Sequence, residues 1–124
     1  MLKASWTVSV EPHRKLLRLT ITGFFLPDDI TAFVQAVSGG IAQLRPFCGG
    51  EAHVTICDTR GVHIQSQEAV AAFSDMLAHP AARSRRLAYV SDTALAQIQI
   101  RRLTARDDAA YFHDIASAEQ WLLA

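Results

Sequence analysis

Short apolar segments alternate with segments of helical periodicity from residue 27 to the end of the chain, and this alternation restricts the fold more than any other feature. The pattern predicts strands at residues 53–58, 86–91 and 109–113, and helices at residues 27–44, 66–79, 93–104 and 114–123. Strands that are separated by helices pair in parallel through right-handed crossovers, and the helices cover the sheet. The sequence therefore predicts an α/β domain.

Two further strands precede the first helix. Residues 6–10 alternate large side chains with small polar ones, and residues 16–22 place Leu17, Leu19 and Ile21 at a period of two. A polar turn joins the two segments, which predicts an antiparallel hairpin. The full order is β-β-α-β-α-β-α-β-α, with a mixed sheet of four or five strands. Residues 1–124 form a single domain in this interpretation, long enough for a core without disulfides or metal.

The first predicted helix begins at Pro27, because proline fixes φ and the two aspartates that follow favour the positive end of the helix dipole. Its apolar side chains recur at helical spacing, at residues 30, 33, 34, 37, 41 and 44. Gly39 and Gly40 interrupt this stripe, and each glycine costs about 1 kcal/mol relative to alanine. We expect a bend or a local break of the helix at these two residues.

Charge and hydropathy exclude several classes of function. The chain has 12 lysine and arginine residues and 12 aspartate and glutamate residues, so its net charge is zero. Binding to nucleic acids or anionic membranes depends mainly on excess positive charge, so neither partner is expected. No apolar run approaches the roughly 20 residues that span a bilayer, and no signal peptide opens the chain. We expect a small cytoplasmic domain in which Cys48 and Cys57 are reduced thiols rather than a disulfide.

Four short segments carry a resemblance to a known family. They are Arg18-Leu19-Thr20-Ile21-Thr22-Gly23-Phe24, Pro27-Asp28-Asp29, Asp58-Thr59-Arg60-Gly61 and the pair Arg101-Arg102. Together, over nearly the whole chain, they resemble the SpoIIAA-like proteins, small bacterial proteins that are also described as STAS/CRAL-TRIO-like. The order of elements resembles the STAS fold of the anti-sigma-factor antagonists. The resemblance implies a STAS-like domain that acts as a regulatory or protein-interaction module.

The resemblance also implies a place for a regulatory serine, and there the sequence departs from the family. The antagonists carry a phosphorylatable serine in an Asp-Ser-Ser-Gly-like context at the start of the second helix. Residues 65–69 read Gln-Ser-Gln-Glu-Ala, without the aspartate and the glycine. Ser66 is therefore expected to be a plain helix N-cap, and a phosphorylation site is the alternative.

No catalytic motif supports an enzyme. The sequence lacks GxSxG, GxGxxG, Walker A and HExxH. An enzyme that uses Asp58 and His63 is the least favoured of the alternative functions, and no cofactor is expected.

His53 and Cys57 lie four residues apart on one predicted strand, a separation of about 13 Å that one metal ion cannot bridge. We therefore predict no metal site.

The candidate ligand or partner site lies where the central strand is predicted to end. Ligands bind open α/β sheets at the carboxyl ends of the strands, where Asp58, Arg60, His63 and Ser66 would line one crevice. Asp92 and Thr93 follow the next strand and would line it too. In the simpler alternative, Asp58 accepts hydrogen bonds from the backbone of its own loop, and Arg60 is solvated or pairs with Asp58.

An apolar run, Phe24-Phe25-Leu26, follows the second strand. Core packing is the default interpretation. The alternative places the run on the surface with Phe47, as a dimer contact or as the mouth of an apolar pocket. We predict a homodimer through this run and the open sheet edge, which Phe25→Asp would dissociate. Phe24, Phe25, Leu26 and Phe47 also motivate a second function, a carrier or sensor of a small apolar, lipid-like ligand, which the resemblance to CRAL-TRIO domains favours slightly.

Arginines cluster in the last third of the chain. Arg85, Arg86, Arg101 and Arg102, with Arg83 and Arg106 near them, form a candidate anion patch if strand and helix bring them together. A solvated face with local pairing to the aspartates at positions 92, 107 and 108 is the favoured alternative.

Overall fold

A computed structural model describes residues 3–62, 65–103 and 108–124, which form five strands and four α-helices. The strands are β1 Ser5–Glu11, β2 Leu16–Gly23, β3 Val54–Val62, β4 Arg86–Val90 and β5 Ala109–Phe112. The helices are α1 Pro27–Leu44, α2 Gln67–Ala78, α3 Ala94–Leu103 and α4 Ile115–Leu123. The predicted order β-β-α-β-α-β-α-β-α is confirmed.

The strands form one mixed sheet in the order β1-β2-β3-β4-β5. β1 runs antiparallel to β2, as the predicted hairpin requires, and the other three pairs are parallel. Each parallel pair is joined through a helix, because a parallel neighbour can be reached only by a crossover. None of the helices in the described residues is long and apolar enough to cross a membrane.

The helices divide between the two faces of the sheet. Leu17, Leu19 and Ile21 of β2 pack on the face that α1 and α2 cover. The opposite face is covered by α4, whose Ala118 and Leu122 pack against the alternate residues of the central strands. Alternate side chains of β2 therefore point to opposite faces of the sheet. One set lies under α1, and the other lies on the face that α4 covers.

α1 is a continuous helix of 18 residues, so the predicted break at its two glycines is wrong. Gly40 faces the sheet, where a Cβ atom would lie 2.9 Å from Leu17 Cδ1 and 3.0 Å from Val8 Cγ1. Gly39 faces outward, and a Cβ there would meet nothing within 4 Å. The missing side chain of Gly40 lets the helix approach the hairpin closely, and packing on the strands compensates for the low helix propensity.

β3 is longer than predicted, because residues 59–62 continue the strand instead of forming a loop. Gly61 pairs with Thr22, and Val62 pairs with Gly23 of β2. A Cβ atom at Gly61 would lie 2.6 Å from Thr22 Cγ2, so the glycine makes room for the threonine. The extension depends on pairing with a distant strand, which the local sequence does not reveal.

The two glycines of α1 provide a matched test of this packing. We expect Gly39→Ala to raise the free energy of unfolding by about 0.5–1 kcal/mol, because it improves helix propensity in open space. Gly40→Leu should lower it by about 1–3 kcal/mol, because the new side chain overpacks a filled interface. Urea denaturation of both variants measures the effects, and a Gly40→Leu protein as stable as the wild type would contradict the packing argument.

Candidate functional site

Asp58 and Arg60 form a close ion pair at the carboxyl end of the sheet. Asp58 Oδ1 accepts hydrogen bonds from the backbone nitrogen of Arg60 at 3.1 Å and from its Nε at 3.0 Å. Asp58 Oδ2 accepts a third from Arg60 Nη2 at 2.8 Å. Partial burial acts to raise the pKa of Asp58, but these contacts with Arg60 outweigh it and hold the pKa below its usual value. The pairing matches the simpler alternative, although β3 rather than a loop carries both residues.

Two further carboxylates contribute to the electrostatics of Arg60. The pKa of Arg60 is raised mainly by its hydrogen bond to Asp58, with smaller electrostatic contributions from Asp92 and Asp114. The predicted crevice shared by Asp58, Arg60, Ser66, Asp92 and Thr93 stays a prediction. His63 lies outside the described residues.

Ser66 caps α2. Its hydroxyl oxygen accepts a hydrogen bond from the backbone nitrogen of Ala69 at 3.1 Å, and the backbone of Ser66 is extended, as an N-cap requires. The plain helix cap is confirmed, and phosphorylation of this serine stays a prediction.

The side chain of Gln65 joins two loops, and no local sequence pattern predicts this role. Its Oε1 accepts a hydrogen bond from the backbone nitrogen of Phe25 at 2.9 Å. Its Nε2 donates to the backbone oxygen of Gly23 at 2.9 Å. These two bonds tie the segment before α2 to the segment before α1, although the residues lie about 40 positions apart in the chain.

The apolar run is divided between core and surface. Phe25 is only 1% exposed and packs against Trp6, Phe33 and Phe73. Leu26, in contrast, is 59% exposed, and Phe24 is half-buried. Core packing, the default interpretation, is therefore correct for Phe25. The expectation that Phe25 contacts a partner is wrong, and Phe25→Asp would disrupt the core instead of dissociating a dimer.

Phe47 does not join this run on the surface. It is 51% exposed and lies just beyond the C-terminus of α1, whereas Leu26 caps the N-terminus of that helix. A helix of 18 residues is about 27 Å long. The two exposed apolar side chains therefore belong to opposite ends of the domain.

The arginines of the candidate anion patch do not converge. Arg86 lies over the Trp121 ring of α4 and donates to the Trp121 backbone oxygen at 2.6 Å. Arg101 lies over the ring of Tyr111, which packs on the other face of the sheet, at 4.7 Å. Arg85 is exposed, and the side chain of Arg102 lies outside the described residues. Arg86 and Arg101 are thus separated by the sheet itself, because alternate strand residues point to opposite faces.

Both cysteines are free thiols, and both are buried, although the sequence indicated burial only for Cys57. Burial, with a smaller contribution from the charge of Asp58, raises the pKa of Cys57 to about 12. Its thiol is therefore protonated at neutral pH and suited to packing rather than to chemistry. Within the described residues, no group of three or more His, Cys, Asp or Glu side chains is arranged to hold a metal ion.

His53 immediately precedes β3, at the amino ends of the parallel strands. It is only 5% exposed, and its Nε2 has no hydrogen-bond partner among the described residues. Burial lowers its pKa, so the ring is neutral at pH 7. From the sequence, this histidine was examined only as a metal ligand. No local sequence pattern indicates that it is buried beside a pocket.

Two open grooves that share lining residues lie beside the C-termini of α1 and α2, and we call them together the amino-end trench, with two compartments. Its apolar compartment, about 480 Å³, lies between α1 and α2. Its polar compartment, about 380 Å³, lies beside the segments before β3 and β4. Residues that line the apolar compartment include Val34, Val37, Ala72 and Met76, and those of the polar compartment include Cys48, Glu51, His53 and Arg83. Arg45 and Ile41 line both.

A separate internal cavity lies between α2 and the sheet. It measures only about 60 Å³ and is lined largely by apolar side chains, among them Phe33, Phe73 and Tyr89. Sites for small organic ligands measure roughly 300–1,000 Å³. Of these spaces, the trench rather than this cavity has the size of a ligand site.

Solved structures share this fold. An uncharacterised protein with a SpoIIAA-like fold from Shewanella loihica PV-4 matches with a TM-score of 0.72 at 16% sequence identity, over 98% of this chain and 97% of that one. An anti-sigma factor antagonist from Mycobacterium paratuberculosis matches with a TM-score of 0.66 at 13% identity, over 95% and 94%. No family model and no curated protein matches the chain. The fold is therefore SpoIIAA-like, as the sequence resemblance implied.

The division of the apolar run predicts different effects for neighbouring residues. We expect Phe25→Ala to lower the free energy of unfolding by about 3–5 kcal/mol, because it opens a cavity in the aromatic cluster. Leu26→Ala should change it by no more than about 0.5 kcal/mol, because the side chain is mostly exposed. Urea denaturation compares the two, and equal effects would show that the run packs differently.

The ion pair predicts the titration of Asp58. We expect its pKa to lie below the usual aspartate value of about 3.9 and to rise in Arg60→Gln, which removes the guanidinium. A lowered native pKa stabilises the fold above about pH 4, and this contribution is lost as the pH falls through the native value.

Carboxyl carbon NMR across the acidic range measures the pKa of Asp58. Arg45→Gln is the control. Arg45 lies just after the C-terminus of α1, at the end of the domain opposite Asp58, so this substitution should leave the pKa of Asp58 unchanged. An unchanged value in Arg60→Gln would show that the pair does not persist in solution.

Proposed function

We propose that this chain is a non-catalytic, STAS-like regulatory module that binds another protein through one surface at the carboxyl end of the sheet. We call it the carboxyl-end surface and define it by Leu26, Arg60, Ser66, Gln67 and Glu68. The single observation that carries the proposal is the double hydrogen bond of Gln65, which holds the two loops under this surface together. A surface that is already ordered loses little conformational entropy when it binds.

Leu26 is the natural anchor of the carboxyl-end surface. Its side chain is 59% exposed, yet its backbone is fixed, because its nitrogen donates to Asp29 Oδ2 at 2.9 Å. Arg60, Gln67 and Glu68 are exposed polar residues of the same surface. An apolar anchor within a polar rim is the usual composition of a protein interface.

The comparison with the anti-sigma factor antagonist supports this class of function by analogy of fold alone. Phosphorylation of Ser66 would place negative charge at the N-terminus of α2, within the same surface, and stays a prediction. The cytoplasmic location and the absence of an enzymatic activity also stay predictions from the sequence.

A second candidate function, a carrier or sensor of a small apolar ligand, is supported by the apolar compartment of the amino-end trench. Its volume of about 480 Å³ falls within the usual range for small-ligand sites. The predicted site at Phe24, Phe25 and Phe47 does not support it, because Phe25 is buried and Phe47 lies at the other end of α1.

The homodimer is a third proposal. β1 is an edge strand of the sheet, and Leu26 replaces Phe25 as the apolar residue that a second copy could contact. Light scattering at micromolar concentration distinguishes a dimer, with about twice the monomer mass of 13.6 kDa, from a monomer.

The carboxyl-end surface predicts the effect of Leu26→Asp on partner binding. We expect at least one protein captured from a lysate of the source organism to be lost from this variant, because a charge replaces the apolar anchor. The fold should be retained, since Leu26 is the N-cap of α1 and aspartate is a preferred N-cap residue.

Leu123→Asp is the matched control, because Leu123 is 43% exposed and lies in α4, away from this surface. Quantitative mass spectrometry compares the proteins retained by wild type and both variants. The proposal fails if Leu26→Asp retains every partner that the wild type and the control retain.

A further inference from the structure

We propose that the amino-end trench binds a small monocarboxylate with an apolar tail, with the carboxylate at Arg45 and His53 and the tail between α1 and α2. A medium-chain fatty acid is the chemical class that fits. This inference rests on the second candidate function above, and it adds the polar group of the ligand and the residues that recognise it.

The charges of the polar compartment point to an anion. Glu51 pairs with Lys15 at 3.7 Å, and Arg83 pairs with Asp108 at 3.7 Å. Arg45 lines the same compartment and has no ion pair among the described residues. A planar guanidinium binds a carboxylate through two parallel hydrogen bonds, which makes arginine the preferred residue for this group. The guanidinium of Arg45, which is exposed and has no ion pair among the described residues, is therefore available to bind a carboxylate.

His53 provides a second and independent observation. Its side chain is 95% buried, it lines the polar compartment, and its Nε2 has no partner in the described part of the chain. Buried polar atoms are nearly always hydrogen-bonded, so this nitrogen, which has no partner among the described residues, is a candidate for contact with a ligand. A neutral imidazole with its proton on Nε2 donates one hydrogen bond, and a carboxylate oxygen accepts it.

The position of Arg45 defines the shape of the ligand. Arg45 lines both compartments, so a group bound to its guanidinium lies at the junction between them. From there the apolar compartment continues along Val37 and Val34 of α1 and Met76 of α2. Asp75, the acidic residue of this compartment, does not line the polar one. A ligand with one acidic end and one apolar tail therefore matches both compartments at once.

The test compares octanoate with 1-octanol, which has the same chain length but no charge. Each ligand is titrated into ¹⁵N-labelled protein, and NMR shifts report the affinity and the residues involved. We expect saturable shifts at residues of the trench and an affinity for octanoate about tenfold higher than for octanol, because a charged hydrogen bond contributes more than a neutral one. Hexanoate should bind roughly tenfold more weakly than octanoate, because its tail lacks two methylene groups.

Two variants separate the acidic group from the tail. Arg45→Gln should weaken octanoate binding about tenfold and leave octanol binding unchanged. Arg85→Gln is the matched control, because Arg85 is exposed and lines neither compartment, and it should bind both ligands like the wild type. The Nε2 resonance of His53 should shift with octanoate and not with octanol.

Each contrary outcome is distinct. Equal affinities for octanoate and octanol would overturn this inference and leave the second candidate function standing, and no saturable binding of either would overturn both. A His53 Nε2 resonance that does not respond to octanoate would overturn the role of this histidine. The trench resonances could instead shift with protein concentration, together with a mass near twice 13.6 kDa. That result would show that a second copy of the chain occupies the trench and would overturn the proposal of a fatty-acid ligand.

Discussion

The packing of Phe25, Phe33 and Phe73 is the contact on which the rest of the domain depends. The three rings meet edge to face, with centroids 5.2–5.9 Å apart. Phe25 comes from the segment after β2, Phe33 from α1 and Phe73 from α2, so one cluster fixes both helices against each other and against the hairpin. Trp6 of β1 extends the cluster to the edge of the sheet. Edge-to-face pairs of this kind stabilise a core beyond the area that they bury.

The two candidate sites follow from that contact. At the carboxyl end of the sheet, the buried Phe25 places Leu26 on the surface, and Gln65 holds the adjoining segments in register. Beyond the cluster, toward the C-termini of α1 and α2, smaller side chains such as Ala72 leave the apolar compartment of the trench open. The domain therefore has the surface proposed to bind a protein at one end and a ligand-sized space at the other, separated by a packed core.

The candidate site was only partly predictable from the sequence. The cap at Ser66 and the pair between Asp58 and Arg60 are local, because the partners lie within three residues of each other, and both were predicted. The trench was not predicted, because it combines the end of α1, the end of α2 and the segment before β3. The role of His53 was missed for the same reason: burial depends on neighbours that are distant in the chain.

The sequence by itself determined the order and type of the elements, because hydrophobic periodicity and helix caps act over a few residues. Tertiary structure alone decided how far β3 extends, since pairing with Thr22 and Gly23 continues the strand. It also decided that α1 continues through Gly40 without a break, because contact with Leu17 and Val8 favours a helix that propensity alone would weaken. Periodicity shows which face of an element is apolar, but not which distant residues pack against it. That pairing is set by the packing of the whole core.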